Sequence, residues 1–197
     1  CVLLTGTYET TTAVGERLLR ALPPLVRVTP DDDAPSLRGL LDVLAAELVH
    51  DRPGQEVVLD RLLDLVVIAA VRAWLDRPGV EAPAWYRAHS DAMVGRALDL
   101  IHRRPDHPWT LAGLAAECGA SRATLARKFR ELVGEAPMTY LASWRLTLAA
   151  DLLCEPDATI GAVARQVGYA SAFSLSTAYK RHHGVSPHRH RRARADA

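Results

Sequence analysis

The chain has few cysteines and no long apolar run. Its three cysteines, Cys1, Cys118 and Cys154, form no CxxC pair, which argues against a disulfide framework or a zinc ribbon and favours a reducing compartment. The most apolar run, residues 65–71, is far shorter than the roughly 18 residues that a membrane span needs. No signal peptide is visible. We therefore expect a cytoplasmic protein without a membrane partner.

The motifs of common enzymes are missing as well. There is no nucleophile motif, no glycine-rich phosphate loop, and no pair of carboxylates that ordinary helix faces leave unexplained. Cys118 ends an apolar helical pattern, so we interpret it as a small buried hydrophobic residue. Four C-terminal histidines raise metal binding as an alternative: His182, His183, His188 and His190. No cysteine or acid completes their ligand set, so we expect no metal site. Because the motifs of common enzymes are missing, we also expect no cofactor and no enzymatic activity.

A strong charge of either sign is also absent, but the charges are unevenly distributed. The formal net charge is +1. Residues 1–100 carry 10 basic residues against 15 acidic ones, whereas residues 101–197 carry 14 basic residues against 8 acidic ones. An acidic half joined to a basic half is typical of a control domain attached to a domain that binds a polyanion.

The N-terminal region predicts one strand and one short helix. Residues 2–8 are rich in apolar and β-branched side chains, which favours a strand. Thr12 is a candidate N-cap of a helix that ends near Leu22, because the two prolines that follow cannot continue it. A polar loop bounded by prolines is predicted at residues 29–35.

Two longer helices are predicted next, over residues 37–51 and 55–75. Ser36 is a candidate N-cap of the first helix, and both helices carry wide apolar stripes at helical spacing. These stripes either pack on the rest of their own domain or form a dimer surface, and the two interpretations are compatible. Residues 76–88 are rich in proline and glycine, so we interpret them as a linker.

The C-terminal half contains the same pattern twice. In the first part of the pattern, Thr110, Leu111, Leu114, Ala115 and Gly119 recur 49 positions later as Thr159, Ile160, Val163, Ala164 and Gly168. In the second part, Ser121, Leu125, Phe129, Gly134 and Pro137 recur 50 positions later as Ser171, Leu175, Tyr179, Gly184 and Pro187. Such self-similarity indicates a duplicated unit. Each copy predicts a short helix, a glycine turn and a second helix, so we expect helix-turn-helix units at about 110–134 and 159–184.

The second helix of each unit, here called the recognition helix, is predicted to enter the major groove of DNA. Its exposed face carries basic and small polar side chains, which suit contacts with bases and phosphates. The candidate DNA contacts in the first unit are Ser121, Arg122, Ala123, Thr124, Arg127 and Lys128. Those in the second unit are Ser171, Ala172, Ser174, Thr177, Lys180 and Arg181. The second set is less cationic near its N-terminus, which predicts weaker or less base-specific binding.

Further helices are predicted around the two units. Ser90 or Asp91 is a candidate N-cap of a helix that leads into the first unit, and residues 140–153 predict one helix between the units. The second of these would hold the recognition helices near one DNA turn apart, about 34 Å. Arg145 on this helix is a candidate for a phosphate contact or for a salt bridge. Arginines of the C-terminal tail are expected to add phosphate affinity.

Together these residues resemble the DNA-binding domain of the AraC/XylS family. The residues that carry the resemblance include Trp109, Thr110, Leu111, Ala115, Gly134, Pro137, Tyr140, Arg145, Val163, Ala164, Gly168, Tyr169, Gly184 and Pro187. The resemblance implies a bacterial transcription regulator whose domain of seven helices contacts two successive major-groove segments of double-stranded DNA. It also makes RNA polymerase a candidate partner.

This chain departs from the family pattern at a few positions. Thr177 stands where the family often has arginine, and Leu175 and His183 stand where it usually has phenylalanine. His190 replaces a family aromatic residue, whereas Arg127 falls on a position that the family uses for base contact.

The upstream region resembles the end of a cupin-type sensor domain. The resemblance rests on residues 1–8 and on the Leu22-Pro23-Pro24-Leu25 step before the paired helices. It implies that residues 1–88 are the C-terminal remnant of a sensor and dimerisation domain, with a linker. Most of the barrel, where a small-molecule effector would bind, is then missing. Because the chain opens at Cys1 rather than Met, we interpret it as a piece of a longer protein.

The sequence therefore predicts a mainly all-α protein. A tandem helix-turn-helix domain of about seven helices at residues 89–197 follows the helical remnant of a cupin-type sensor domain. The predicted function is sequence-specific DNA binding by a transcription regulator that its N-terminal domain controls. Homodimerisation through residues 37–51 and 55–75 is a further expectation. The alternative is a helical protein-interaction module that binds DNA without sequence preference.

Overall fold

The computed structural model describes residues 12–29, 35–80 and 82–195. Within these ranges the chain forms helices and no strand, which confirms the mainly all-α expectation. The helices are α1 (Ala13–Arg20), α2 (Pro35–Leu48), α3 (Gln55–Leu75), α4 (Ala84–Ala88), α5 (Ala92–Arg103), α6 (Leu111–Glu117), α7 (Arg122–Val133), α8 (Pro137–Leu152), α9 (Ile160–Gln166), α10 (Ala172–His183) and α11 (Pro187–Ala195). The predicted strand and most of the predicted loop at 29–35 lie outside the described residues.

The helices divide between two compact units. The described part of the first unit comprises residues 20–29, 35–80 and 82, and it contains α2 and α3. The described part of the second unit comprises residues 12–19 and 83–195, and it contains α1 together with α4–α11. None of the helices in the described ranges is long and apolar enough to cross a membrane.

In the first unit, α2 and α3 pack against each other across a tight turn. Leu37 and Leu44 of α2 and Leu75 of α3 are buried. The Gln55 side chain closes the turn by donating to the carbonyls of Glu47 (2.7 Å) and His50 (2.6 Å). α2 begins at Pro35, so the prediction that Ser36 caps it is wrong, because proline itself is favoured in a first helical turn. α2 also ends at Leu48 rather than at residue 51, because the chain already turns there toward Gln55.

The prediction of a linker over residues 76–88 is wrong in its last part. Residues 84–88 form α4, in which Ala88 is fully buried and Trp85 packs against the core of the second unit. The prolines and glycines between residues 78 and 83 end α3, but the five residues that follow contain no helix breaker. The chain therefore enters the second unit before residue 89.

Two hydrophobic clusters form the core of the second unit, one for each helix-turn-helix. The first contains Val94, Leu98, Ile101, Leu114, Leu125, Phe129, Tyr140 and Leu141. The second contains Leu146, Ala149, Ala150, Val163, Ala164, Leu175 and Tyr179. α8 contributes to both clusters: its first half packs on the first helix-turn-helix, and its second half packs on the second. It begins three residues earlier than predicted because Pro137 is well suited to the first helical position.

α1 also packs on α8, within the second unit. The carboxylate of Asp151 accepts from the backbone amides of Ala13 and Val14 at the positive end of α1. The Arg17 guanidinium lies 5.2 Å from the centroid of the Tyr140 ring and 5.8 Å from the centroid of the Trp144 ring. The predicted N-cap, Thr12, accepts from the Gly15 amide at 3.0 Å. α1, which precedes α2 and α3 in the chain, is therefore held by α8, the helix between the two helix-turn-helix units.

Candidate nucleic-acid interface

The first helix-turn-helix, α6 and α7, has the local geometry that the sequence predicts. The Thr110 hydroxyl caps α6 by accepting from the Gly113 amide at 3.0 Å, and the Ser121 hydroxyl caps α7 by accepting from the Thr124 amide at 3.1 Å. Gly119 has φ +65°, a value that side-chain-bearing residues rarely adopt. The caps and the turn fix where the recognition helix α7 begins.

The second helix-turn-helix, α9 and α10, repeats this geometry. Thr159 caps α9 by accepting from the Ala162 amide at 3.1 Å. Ser171 and Ser174 form a reciprocal capping box at the start of α10, each hydroxyl accepting from the other residue's backbone amide at 3.1 Å. Gly168 provides the turn, with φ +78°. α10 then runs from Ala172 to His183, where Gly184 ends it.

The two recognition helices expose equivalent positions. Over residues 121–130 and residues 171–180 the sequence of exposed, half-buried and buried positions is the same at every step. Leu125 and Phe129 are fully buried in the first helix, and Leu175 and Tyr179 are fully buried in the second. Residues 50 positions apart in the sequence therefore occupy equivalent places on the surfaces of α7 and α10.

The basic side chains of α7 differ in what they contact. Arg127 Nη1 donates to both carboxylate oxygens of Glu131, at 2.8 and 2.9 Å, and its side chain is 65% exposed. Lys128 Nζ lies 2.5 Å from Oδ2 of Asp91, the residue that caps α5. This hydrogen bond to Lys128 is the main reason why the pKa of the Asp91 carboxyl is lowered. Arg127 therefore lies on the outer face, whereas the Lys128 ammonium is directed to α5.

The outer face of α10 has an aromatic residue that sequence reasoning missed. Phe173 is 81% exposed, and it occupies the position that corresponds to Ala123 in α7. Thr177 is exposed one helical turn further on, and Lys180 and Arg181 are exposed toward the end of the helix. The available signal was the helical register, since position 173 falls on the side of α10 opposite the buried Leu175.

Arg145 has a structural role that neither sequence interpretation foresaw. Its Nε donates to the Pro105 carbonyl at 2.6 Å, and its Nη2 donates to the His107 carbonyl at 2.8 Å. Burial lowers the pKa of this half-buried guanidinium. It binds backbone carbonyls of the loop after α5 because that loop brings them beside α8. Among the described residues these hydrogen bonds stand in place of the predicted salt bridge, and the phosphate contact stays a prediction.

Two of the C-terminal histidines replace aromatic rings in packing. The His183 ring lies 4.3 Å from the ring of Tyr179, and the His190 ring lies 5.7 Å from it, centroid to centroid. In residues 12–29, 35–80 and 82–195, no three metal-ligating side chains lie close enough together to hold an ion.

Comparisons with known proteins agree with this geometry. A family model described as a helix-turn-helix domain matches residues 114–193, and one described as a cupin matches residues 1–76. A Streptomyces antibioticus protein named as an AraC-like transcription regulator is 37% identical over 188 residues, which are 94% of this chain and 61% of that protein.

The chain belongs to the AraC family of transcription regulators. A second relative of this AraC-family chain, the HTH-type transcriptional regulator AlkR of Acinetobacter baylyi, is 35% identical over 184 residues. That match covers 90% of this chain and 59% of AlkR, so the chain spans less than two thirds of the length of these relatives.

One solved structure has the same fold over about half of this AraC-family chain. It is a transcriptional regulator with an AraC-type DNA-binding domain from Chromobacterium violaceum, with a TM-score of 0.51 and 28% identity. The match covers 55% of this chain and 96% of that one. The family models also confirm the resemblance of the N-terminal region to a cupin.

Proposed function

We propose that this AraC-family chain is a sequence-specific DNA-binding transcription regulator, whose helices α7 and α10 enter two successive major-groove segments. The observation that carries the proposal is the pair of equivalent outer faces on α7 and α10, joined by one continuous helix, α8. An α-helix fits the major groove of B-DNA, and small polar and basic side chains suit its bases and phosphates. We assign the chain no enzymatic activity.

The test is selection of random duplex DNA on the full chain at about 150 mM salt, a concentration at which nonspecific phosphate contacts are weakened. The proposal expects an enriched motif in two parts about 10 base pairs apart, the spacing of two adjacent major-groove segments. Failure to enrich any sequence would overturn it and would favour the protein-interaction module. In that case the basic face would bind an acidic partner.

We further propose that the first unit dimerises through α2 and α3. Several large apolar side chains of these helices are exposed to solvent: Val43, Leu48, Val57, Val58, Leu65 and Ile68. A helix pair that exposes this many large apolar side chains is a candidate interaction site. Sedimentation of the full chain should show a dimer, and Leu65→Lys together with Ile68→Lys should convert it to a monomer. A monomeric parent chain would contradict dimerisation and leave the apolar face to the rest of the sensor domain.

The remaining assignments follow from family membership. We propose that a small-molecule effector binds in the cupin-type domain, that RNA polymerase is a partner on the DNA, and that the protein acts in the cytoplasm. Measuring transcription from the selected motif with and without the chain tests the partnership with RNA polymerase. No change in transcription would contradict it.

A further inference from the structure

Phe173 is by far the most exposed large apolar residue on the second unit. Its side chain is 81% exposed, compared with 51% for Leu19 and 36% for Leu132, the other large apolar residues of that unit that are exposed. Phe173 is the second residue of α10 and lies between Ser171 and Ser174, the two residues of the capping box. An aromatic ring in water at this place is available for contact with a ligand.

The position of Phe173 on α10 corresponds to a position on α7 that faces the same way. Phe173 and Thr177 are one helical turn apart on the outer face, as are Ala123 and Arg127 on α7. Both pairs lie on the side of their helix away from the buried residues that anchor it. If α7 presents Arg127 to the bases, α10 presents Phe173 and Thr177 to the bases in the same orientation.

These two pairs suit different bases. A guanidinium donates two hydrogen bonds to the O6 and N7 atoms of guanine, whereas a phenyl ring has no hydrogen-bond donor. The apolar group in the major groove is the C5 methyl of thymine, and phenylalanine and the threonine methyl are among the side chains that contact it. The cations Lys180 and Arg181 lie further along α10, where they can bind phosphates without competing for the bases.

We propose that Phe173, with Thr177 beside it, is a specificity-determining residue that reads thymine methyl groups in the half-site bound by α10. The half-site bound by α7 is then recognised through guanine and the half-site bound by α10 through thymine. This inference rests on the proposed function, and it names the base chemistry of the second contact.

The experiment replaces thymine by deoxyuridine, which lacks only the C5 methyl group. Duplexes carrying the motif selected on the full chain are synthesised with single thymine-to-uracil changes in each half-site, and their dissociation constants are measured by fluorescence anisotropy. Wild-type protein should lose about fourfold in affinity at one position of the second half-site, the equilibrium factor that corresponds to burying one methyl group.

The variants isolate the side chain that reads this methyl. Phe173→Ala should bind the thymine and uracil duplexes equally, with the affinity that the wild type has for uracil. Phe173→Leu, which keeps an apolar side chain, should retain part of the discrimination. Because position 173 is exposed, neither variant should change the folding stability. Changes in the first half-site are the matched control, since Phe173→Ala should leave their effects unaltered.

Each outcome has a distinct meaning. If the wild type selects a motif but is insensitive to the thymine methyl, or if Phe173→Ala keeps the same sensitivity, the inference is wrong and the proposed function stands. If Phe173→Ala binds every duplex like the wild type but loses transcriptional activity, Phe173 contacts a protein and the inference is again wrong. If the wild type selects no motif, the proposed function itself fails.

Discussion

We expect Arg127 to read a base, and a neighbouring side chain already holds its guanidinium. The carboxylate of Glu131, one helical turn further on, accepts two hydrogen bonds from it. An exposed pair of this kind contributes little to folding stability. Its effect is on orientation, because it restricts the rotamers of a long side chain that would otherwise be ordered only when DNA binds.

Arg127→Ala should lower the binding free energy on the selected motif by about 1–3 kcal/mol and relax the preference at one base pair. The measurement is the dissociation constant on selected and randomised duplexes. Lys128→Ala is the matched control: because the Lys128 ammonium binds Asp91, this variant should leave base preference unchanged. Equal losses of Arg127→Ala on both duplexes would contradict a role in base recognition.

His102 is the residue whose titration should affect stability. Burial, followed by the nearby His89 and Arg17, lowers its pKa from 6.5 to about 4. The Tyr140 hydroxyl lies 2.8 Å from His102 Nε2, and burial raises the pKa of that hydroxyl to about 12. His102 is therefore neutral in the folded protein at pH values where the unfolded chain binds a proton.

The direction of the pH effect follows from this difference. The contribution of His102 is complete above pH 6.5, and it decreases as the pH falls toward about 4, since only the unfolded state takes up a proton in that window. His102→Gln, which keeps a hydrogen-bond acceptor, should reduce the loss of unfolding free energy between pH 7 and pH 4.5. Urea denaturation at several pH values measures it. Parallel pH profiles for the variant and the wild type would contradict the assignment.

At the scale of the element, the two turn glycines have the same conformation but different surroundings. Gly119 and Gly168 both have positive φ, yet a Cβ at Gly119 would meet nothing within 4 Å. At Gly168 a Cβ would lie 2.7 Å from Nη2 of Arg145 and 2.7 Å from the carbonyl oxygen of Asp106. The second turn therefore needs glycine for space as well as for its backbone angle.

Gly168→Ala should destabilise the protein more than Gly119→Ala does. Both variants bear the cost of a left-handed alanine, about 1–2 kcal/mol, and the crowding at Gly168 should add about 1–3 kcal/mol. Chemical denaturation of the two variants side by side measures the difference. Equal losses of unfolding free energy would mean that Arg145 and the Asp106 carbonyl both move aside without cost.

Local signals account for the elements that could be predicted from sequence. α7 and α10 follow from such signals, because a serine cap begins each helix and a glycine with positive φ ends it. α4 was missed because its five residues are too short for a period, and the docking of α1 was missed because it depends on Asp151, far away in the chain. The carbonyl contacts of Arg145 depend on tertiary structure in the same way. DNA contacts in the candidate site stay predictions for all twelve residues named from the sequence.

At the scale of the whole molecule, the acidic and basic halves should contribute differently to DNA affinity. Arg192 is exposed on α11, whereas Arg191 donates to the Ala158 carbonyl at 2.9 Å. Arg192→Ala should weaken binding to all sequences alike and reduce the slope of log affinity against log salt by about 1. Arg61→Ala, an exposed change in the first unit, is the control and should leave the slope unchanged. An unaltered slope for Arg192→Ala would exclude a phosphate contact.

The packing of α8 in both hydrophobic clusters constrains the DNA as well as the protein. Because this single helix lies in the cores of both helix-turn-helix units, the protein fold sets the distance between the recognition helices α7 and α10. A duplex whose successive grooves do not match that distance has to bend or change its twist, and the energy of that deformation depends on its sequence. Base pairs between the half-sites would then influence affinity without being touched. Replacing a flexible pyrimidine–purine step there by a stiff A-tract should change the dissociation constant, and an unchanged value would mean that the operator needs no deformation to accept the two helices.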